Sequence, residues 1–356
     1  MSEADHAQFL PVGKLPAELL ESLLARAPTS DARLLVGPGI GLDCAVLDFG
    51  SFLLVLKSDP ITFATDEIGW YAVQINANDI ATTGAIPRWM LATLLLPGNQ
   101  TTPEQVEKIA TQLYKACQEI EVALIGGHTE ITYNLDRPIL AGTMIGEVDR
   151  QELITPRGAS SGDRLLLTKE VPIEATAIFG REFSDRLLLS EINQQPGKYL
   201  SQFELEQARA YLHEPGISVL RDAQIARKTG PVHAMHDPTE GGLYTALWEL
   251  AQASGHDLWV DTDRVPVSPL SARICQLLDV DPLAAIASGA LLLAVPPQTA
   301  PKICTALVAQ GIPCTEIGEI LDESVHPTAY QQTKHGRQIL PHPNRDEIAR
   351  LYEELP

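Results

Sequence analysis

Residues 57–87, KSDPITFATDEIGWYAVQINANDIATTGAIP, decide the fold. The segment reads as a strand end, a loop carrying Asp59, and a helix. Thr65 or Asp66 is placed to cap that helix, and Asp66 and Glu67 suit its positive N-terminal end. Gly84 is expected to take the left-handed stop after it, and Pro87 prevents continuation. Asn76, Asp79 and Thr83 recur at helical spacing, so one face carries an amide, a carboxylate and a hydroxyl. Ile68, Ala72, Ile75 and Ile80 make the helix otherwise apolar. A helix this apolar should be buried, and a buried carboxylate needs a partner. A cation is the simplest partner.

Upstream, leucines 15, 19, 20, 23 and 24 form an amphipathic helix with Pro16 near its start. The turn Gly37-Pro38-Gly39-Ile40-Gly41-Leu42-Asp43 leads into a strand expected over 44–48, and a hairpin turn joins it to a second over 52–56. Glycines 37, 39 and 41 permit either a tight structural turn or a phosphate cradle of bare N–H groups. The turn lacks the Gly-Lys-Ser/Thr of a P-loop. It also lacks the helix that a dinucleotide fingerprint requires.

Downstream, a long apolar strand is expected over 88–96. Thr102, Pro103 and Glu104 mark a helix start, and Val106, Ile109, Leu113, Ala116 and Cys117 give that helix a buried stripe. A short buried strand over 122–125 should end at Gly126-Gly127-His128-Thr129-Glu130, and a further strand covers 139–148. Asp43, Asp59, Asp79 and Glu130 thus stand at element ends or on a polar helix face, as oxygen ligands of the kind Mg²⁺ prefers. Singly, each acid is equally readable as a cap or a surface charge. His128 reads as a base, a phosphate donor or a satisfied core histidine. Mg²⁺ does not favour imidazole, so His128 is not counted as a ligand.

The best linker is 154–162, after which strands and helices alternate. This pattern predicts an α/β layer with helices on one side of a mixed sheet. A strand over 232–236 runs into Asp237-Pro238-Thr239-Glu240-Gly241-Gly242, where Asp237 can cap a helix, Pro238 can open it and Glu240 can close a capping box. Two glycines in a first turn are costly. Either a phosphate or a neighbouring strand packs against the backbone there. Lys57 and Lys169 read as phosphate contacts or as surface lysines. From 331 a mixed, polar tail is expected, ending in a short helix.

The 356 residues hold 46 acidic and 26 basic side chains, a net charge of −20, which argues against nucleic acid as a partner. It does not exclude a phosphorylated ligand, since a bound divalent cation reverses the local field. Five cysteines without a CxxC pair fit a reducing compartment and a role as small core residues. The N-terminus shows no signal-peptide pattern and no apolar run spans a membrane, so a cytoplasmic location is expected.

The glycine turn ending at Asp43, the Asp59 and Asn76-Ala77-Asn78-Asp79 pair, Ile125-Gly126-Gly127-His128-Thr129-Glu130 and His236-Asp237-Pro238-Thr239-Glu240-Gly241-Gly242 share an order and spacing. Together they resemble the PurM-like, AIR synthase-related superfamily over about residues 12–330, with the nearest likeness to HypE-like hydrogenase maturation proteins. The resemblance implies a helical extension over 1–35, an ATP- and metal-binding N-terminal domain over 36–153, a C-terminal α/β domain over 154–330 and a tail. It implies a homodimer whose N-terminal sheets close into a barrel, and ATP with Mg²⁺ as cofactors. Asp43, Asp59, Asp79 and Glu130 would hold the metal. Gly39, Gly41, Lys57, Asn76, Asn78, Gly126, Gly127, Thr129, Thr239, Gly241 and Gly242 would line the nucleotide and its acceptor. Asp79, His128 and Asp237 would be the catalytic groups.

His128 stands where many relatives carry an acid, which makes Glu130 the candidate replacement. The last cysteine is Cys314 and the sequence closes on Leu351-Tyr352-Glu353-Glu354-Leu355-Pro356. Without a terminal cysteine to carry a carbamoyl group, the acceptor is expected to be a small molecule or a group on a protein partner. The expected reaction is phosphoryl transfer to an oxygen of that acceptor, with thiamine-monophosphate kinase-like or AIR synthase-like chemistry as alternatives. The rival from another class is a nucleotide sensor or scaffold that binds without turnover.

Overall fold

Two sheets organise the residues that the computed structural model of the chain describes, namely 10, 12–62, 66–188, 199–333, 336–343 and 345–353. The first holds β1 (Leu34–Val36), β2 (Ala45–Asp48), β3 (Leu53–Ile61), β4 (Ile86–Pro97), β5 (Ala123–Thr132) and β6 (Ile139–Val148). Their order is β1-β2-β3-β6-β4-β5, and only the β4–β5 pair is parallel. Helices α1 (Ala17–Leu24), α2 (Ile68–Thr82) and α3 (Pro103–Glu119) belong to this half, and α3 supplies the crossover that parallel strands need.

α2 is buried almost throughout: of its 15 residues only Trp70 is not. Ile68, Ala72, Ile75 and Ile80 share one apolar cluster with Val55 of β3 and Met144 of β6. The N-terminal cap differs from expectation. Glu67, left-handed at φ 59°, occupies the cap position without a side-chain hydrogen bond, and Thr65 lies outside the described residues. Asp66 instead meets Arg181 and Lys108. At the other end Gly84 takes the left-handed conformation, as expected.

β5 also departs from expectation. It runs for 10 residues, so 126–130 lie inside the strand rather than after it, and it is exposed along most of its length. Gly127 is required by close approach. A Cβ there would fall 1.8 Å from the Ala92 carbonyl oxygen of β4.

The second sheet is β13-β12-β9-β11-β7-β10-β8. In chain order these are β7 (Arg164–Thr168), β8 (Ala234–His236), β9 (His256–Val260), β10 (Leu292–Val295), β11 (Cys314–Glu323), β12 (Ala329–Thr333) and β13 (Gly336–Ile339). The intervening helices are α4 (Ile173–Glu182), α5 (Ser184–Leu187), α6 (Gln202–Ala210), α7 (Leu220–Thr229), α8 (Gly242–Ser254), α9 (Pro269–Leu278), α10 (Ala300–Val308) and α11 (Glu347–Glu353). Only β9–β12 is parallel, so the sheet is mixed.

Helices cover both faces of this sheet, not one. Leu165 and Leu167 of β7 pack with Leu243 and Leu247 of α8. Leu166 points the other way, into a cluster with Ala223 of α7 and Ile303 of α10. Strands buried on both faces read as continuous apolar runs, which hides the second face from a periodicity argument. The stretch expected as a tail contributes β12, β13 and α11, and Ile348 and Leu351 of α11 enter a third cluster with Phe179 and Ile274.

Candidate active site

The two halves meet along α2. Asn78 donates through Nδ2 to Ile217 O at 2.7 Å, and its Oδ1 accepts from Val219 N at 2.8 Å. Asn76 does a different task. Its Oδ1 accepts from Asp59 N at 3.0 Å, and its Nδ2 donates to Asp59 O and Ala72 O. β2 pairs with β3 only as far as Leu56, so the Asn76 amide takes over where the neighbouring strand stops. Both amides therefore position backbone.

Four acids gather in the space that these contacts frame. Asp79 projects from α2, Asp59 from the end of β3, Asp43 from the turn before β2 and Asp237 from the residue after β8. Lys57 Nζ lies 3.3 Å from Asp79 and 3.7 Å from Asp59. Burial disfavours the Lys57 ammonium, but Asp79, Asp43 and Asp59 outweigh it and hold it charged well above its ordinary range. Burial drives the Asp79 carboxyl well above the usual carboxylate range against the pull of Lys57, and Asp237 raises it further. Burial likewise pushes Asp237 up to about 6, with Asp43 adding to the shift.

His236, 2% exposed, is held between two carboxylates. Its Nε2 is 2.9 Å from Glu249 on α8, and its Nδ1 is 3.2 Å from Asp43. Burial opposes protonation, but these two acids raise His236 well above its normal value. Burial likewise opposes ionisation of Asp43, and the imidazolium more than offsets it, holding Asp43 below the usual range. Lys14 closes the outer side, 3.5 Å from Glu249 and 3.8 Å from Glu240. His236, Glu249 and Lys14 were not singled out from sequence. Only the position of His236, directly before Asp237 at a strand end, could have pointed to it.

The fit to a hard cation can be tested on the donors. Asp43, His236 and Asp237 place ligand atoms within 4.8 Å of one another. Asp79 Oδ2 and both oxygens of Asp237 are buried and have no hydrogen-bond partner among the described residues. Asp79 Oδ2 meets the Lys57 ammonium as an ion pair at 3.3 Å, but the two Asp237 oxygens are bare, and burying them is costly unless a cation meets them. An imidazolium cannot ligate, which leaves the oxygens of Asp43 and Asp237 as the part of that group suited to Mg²⁺, with Asp79 outside it on the Lys57 side and half-exposed Asp59 at the rim.

Other expected residues are distributed as follows. Gly39 and Gly41 lie in the turn before Asp43, where Gly39 bridges Leu42. Asp237, Thr239 and Glu240 form a loop rather than a capped first turn, and α8 begins only at Gly242, with Gly241 at its cap. A Cβ on Gly242 would lie 2.5 Å from Leu283 O, at φ +63°. Backbone of this same chain therefore packs against Gly242, while Gly241 faces the Thr245 side chain and its N–H donates to Asp346 at 2.6 Å. Lys169 is neither on the surface nor open to a phosphate. Its ammonium donates to Ser218 O and Gly289 O and meets Asp222 at 3.1 Å, which uses all three protons.

Gly126, Gly127, His128, Thr129 and Glu130 lie elsewhere within one chain. Gly127 is level with Asp59 across the sheet, but three strands away. That separation is about 14 Å at ordinary strand spacing. His128 and Glu130 are exposed and face each other at 3.4 Å.

Comparison with known proteins agrees with this architecture. The chain is 28% identical over 351 residues to a protein of Methanocaldococcus jannaschii named for hydrogenase expression/formation, covering 95% of this chain and 97% of that one. It is 26% identical over 281 residues to carbamoyl dehydratase HypE of Cupriavidus necator, covering 78% and 74%. The HypE–HypF complex contains a chain with the same fold, at TM-score 0.71 and 19% identity over 92% of this chain and 100% of that one. HypE solved with ATP superposes at TM-score 0.62 and 22% identity over 91% and 90%. The family models described as AIR synthase related protein, N-terminal domain, and AIR synthase related protein, C-terminal domain, match residues 41–148 and 160–327. These two matches take in most of both sheets and well over half of the sequence, and on that ground the chain belongs to the AIR synthase-related family, with a PurM-like fold similar to that of HypE.

Proposed function

We propose that the chain is an ATP- and Mg²⁺-dependent enzyme that activates an oxygen of an acceptor by phosphoryl transfer. The observation that carries this reading is the pair of buried, unpartnered carboxylate oxygens on Asp237 beside the ion pair of Asp79 with the Lys57 ammonium. The relative solved with ATP and the relatives named as a dehydratase and a hydrogenase formation protein support the same reading.

In this reading Asp43, Asp59, Asp79 and Asp237 hold the ion. Mg²⁺, when bound, neutralises charge on the phosphates and orients them. Lys57 carries a positive charge whose partners are carboxylates rather than fixed hydrogen bonds, so it can turn to a phosphate oxygen. His236, braced by Glu249, keeps Asp43 ionised and ready to ligate. The Gly39–Gly41 turn and the Thr239–Glu240 stretch flank the acids, whereas the N–H groups of Gly241 and Gly242 are already taken by Asp346 and Thr239 O. The acceptor is a small molecule or a group on a protein partner.

Homodimerisation through β5 belongs to the same reading. The strand is an open edge with Ile125 54% and Ile131 61% exposed, and pairing there would take His128 and Glu130 out of water. Size-exclusion measurement of Ile131→Lys against the parent tests the dimer.

The enzyme reading is tested by ADP release from ATP in the presence of Mg²⁺. Asp79→Ala should lower turnover at least 100-fold. Equal turnover in both proteins would remove the proposal, and ATP bound but left intact by the parent would favour the sensor.

A further inference from the structure

Cys304 and Cys314 were expected to be small core residues, and their placement points elsewhere. Cys304 lies on α10 and Cys314 opens β11, and only a short turn separates the two elements. Their sulfurs are 3.1 Å apart, inside ordinary sulfur–sulfur contact, and ten residues separate them in sequence. Both are only half-buried, whereas Cys44, Cys117 and Cys275 are buried. The pair therefore combines proximity with access from solvent.

We propose that Cys304 and Cys314 form a redox modification site that closes to an intramolecular disulfide when it meets a low-molecular-weight disulfide such as oxidised glutathione. This inference is independent of the proposed nucleotide chemistry.

The two sulfurs share one hydrogen bond, which either can donate. With Cys314 as the donor, that hydrogen bond stabilises the Cys304 thiolate and lowers the Cys304 pKa against the opposing effect of burial. The same hydrogen bond, followed by burial, raises Cys314. Cys304 is thus the attacking sulfur and Cys314 the resolving one, since the thiolate is the nucleophile. The Cys304 thiolate attacks one sulfur of the small disulfide and expels one thiolate, which takes up a proton. Cys314 then loses its proton and attacks the Cys304 sulfur, expelling the second small thiol. Two protein thiols are oxidised by two electrons and one small disulfide is reduced to two thiols. The sulfurs must close by about 1 Å to reach bonding distance.

The new bond would tie α10 to the first residue of β11. Cys314 is the register partner of Thr168, which precedes the Lys169 clamp, so the bond forms against a braced strand.

The test uses the full chain with oxidised glutathione, then alkylation under denaturing conditions and peptide mass measurement. No lysine or arginine lies between Lys302 and Lys334, so one tryptic peptide carries both cysteines. The expected result is a peptide that carries no alkyl group and is two hydrogens lighter than the free dithiol peptide. Dithiothreitol should restore both alkylation sites. Cys314→Ser should instead accumulate a glutathione adduct on Cys304, and Cys304→Ser should give no cross-link. Full alkylation of both cysteines after oxidant treatment, or a persistent adduct on Cys304 in the parent, would overturn the proposal. So would a disulfide that links two chains on a non-reducing gel.

Discussion

Asn78 on α2 and Ile217 are joined by a buried 2.7 Å hydrogen bond across 139 residues of sequence. With the return bond from Val219 N to the same amide, it fixes the two halves to each other beside the acidic cluster.

Replacing Asn78 by alanine strands a buried carbonyl and a buried N–H at once. The expected loss is about 2–4 kcal/mol of stability, measured by urea unfolding. Asn78→Asp should restore only the acceptor half of the pair. A loss below about 0.5 kcal/mol for the alanine variant would show that water satisfies both groups instead.

Mg²⁺ should raise the melting temperature of the parent chain. At about 100 times its dissociation constant, a ligand specific to the folded state adds about 3 kcal/mol. Asp79→Asn and Asp237→Asn each remove a ligand charge, so scanning calorimetry should find most of the shift gone in both. A shift of the same size in all three proteins would place the ion elsewhere.

Glu174 supplies a pH signature away from the acidic cluster. It is 4% exposed, and burial pushes its carboxyl up to about 8, with Ser288 acting against the shift. A raised folded pKa means that stability is fully present below the unfolded value near 4.5 and is lost as pH rises towards 8. Glu174→Gln removes that dependence. The variant should therefore gain on the parent between pH 5 and pH 8, by at most about 3 kcal/mol. Chemical unfolding of both proteins across this range decides the matter, and a pH-independent difference between them would show Glu174 to be ionised and paired.

The two glycines of β5 should respond differently to substitution. A Cβ on Gly127 meets Ala92 O at 1.8 Å, whereas one on Gly126 meets only the tip of Leu91 at 3.3 Å. Gly127→Ala should cost more than about 2 kcal/mol, the range of severe local strain, and Gly126→Ala clearly less. Thermal unfolding of the two variants side by side is the measurement. Equal losses would mean that the backbone conformation the two glycines share, at φ +156° and +148°, sets the cost and not the contact with Ala92.

Much was legible from local pattern. The buried character of α2 follows from its apolar residues, and the strands over 44–48, 88–96 and 139–148 lie within two residues of β2, β4 and β6. The helix starting at Thr102-Pro103 was legible too, because a cap and a first-turn proline act within a few residues. The four grouped segments pointed to the family that the family models match.

The packing decided the rest. A sequence window cannot show that His236 lies against Asp43, since nothing local couples a β8 end to a turn before β2. It cannot separate Lys57 from Lys169 either. The former faces open carboxylates, and the latter spends its protons on two carbonyls and an aspartate contributed by distant segments. Gly127 looked like a door for a ligand, and the neighbouring strand turned out to occupy the space. Propensity acts over a few residues, whereas electrostatics and steric approach act between whatever surfaces the sheets bring together. The amino-acid order therefore set which elements form and which faces are apolar, and only tertiary packing settled which charges meet.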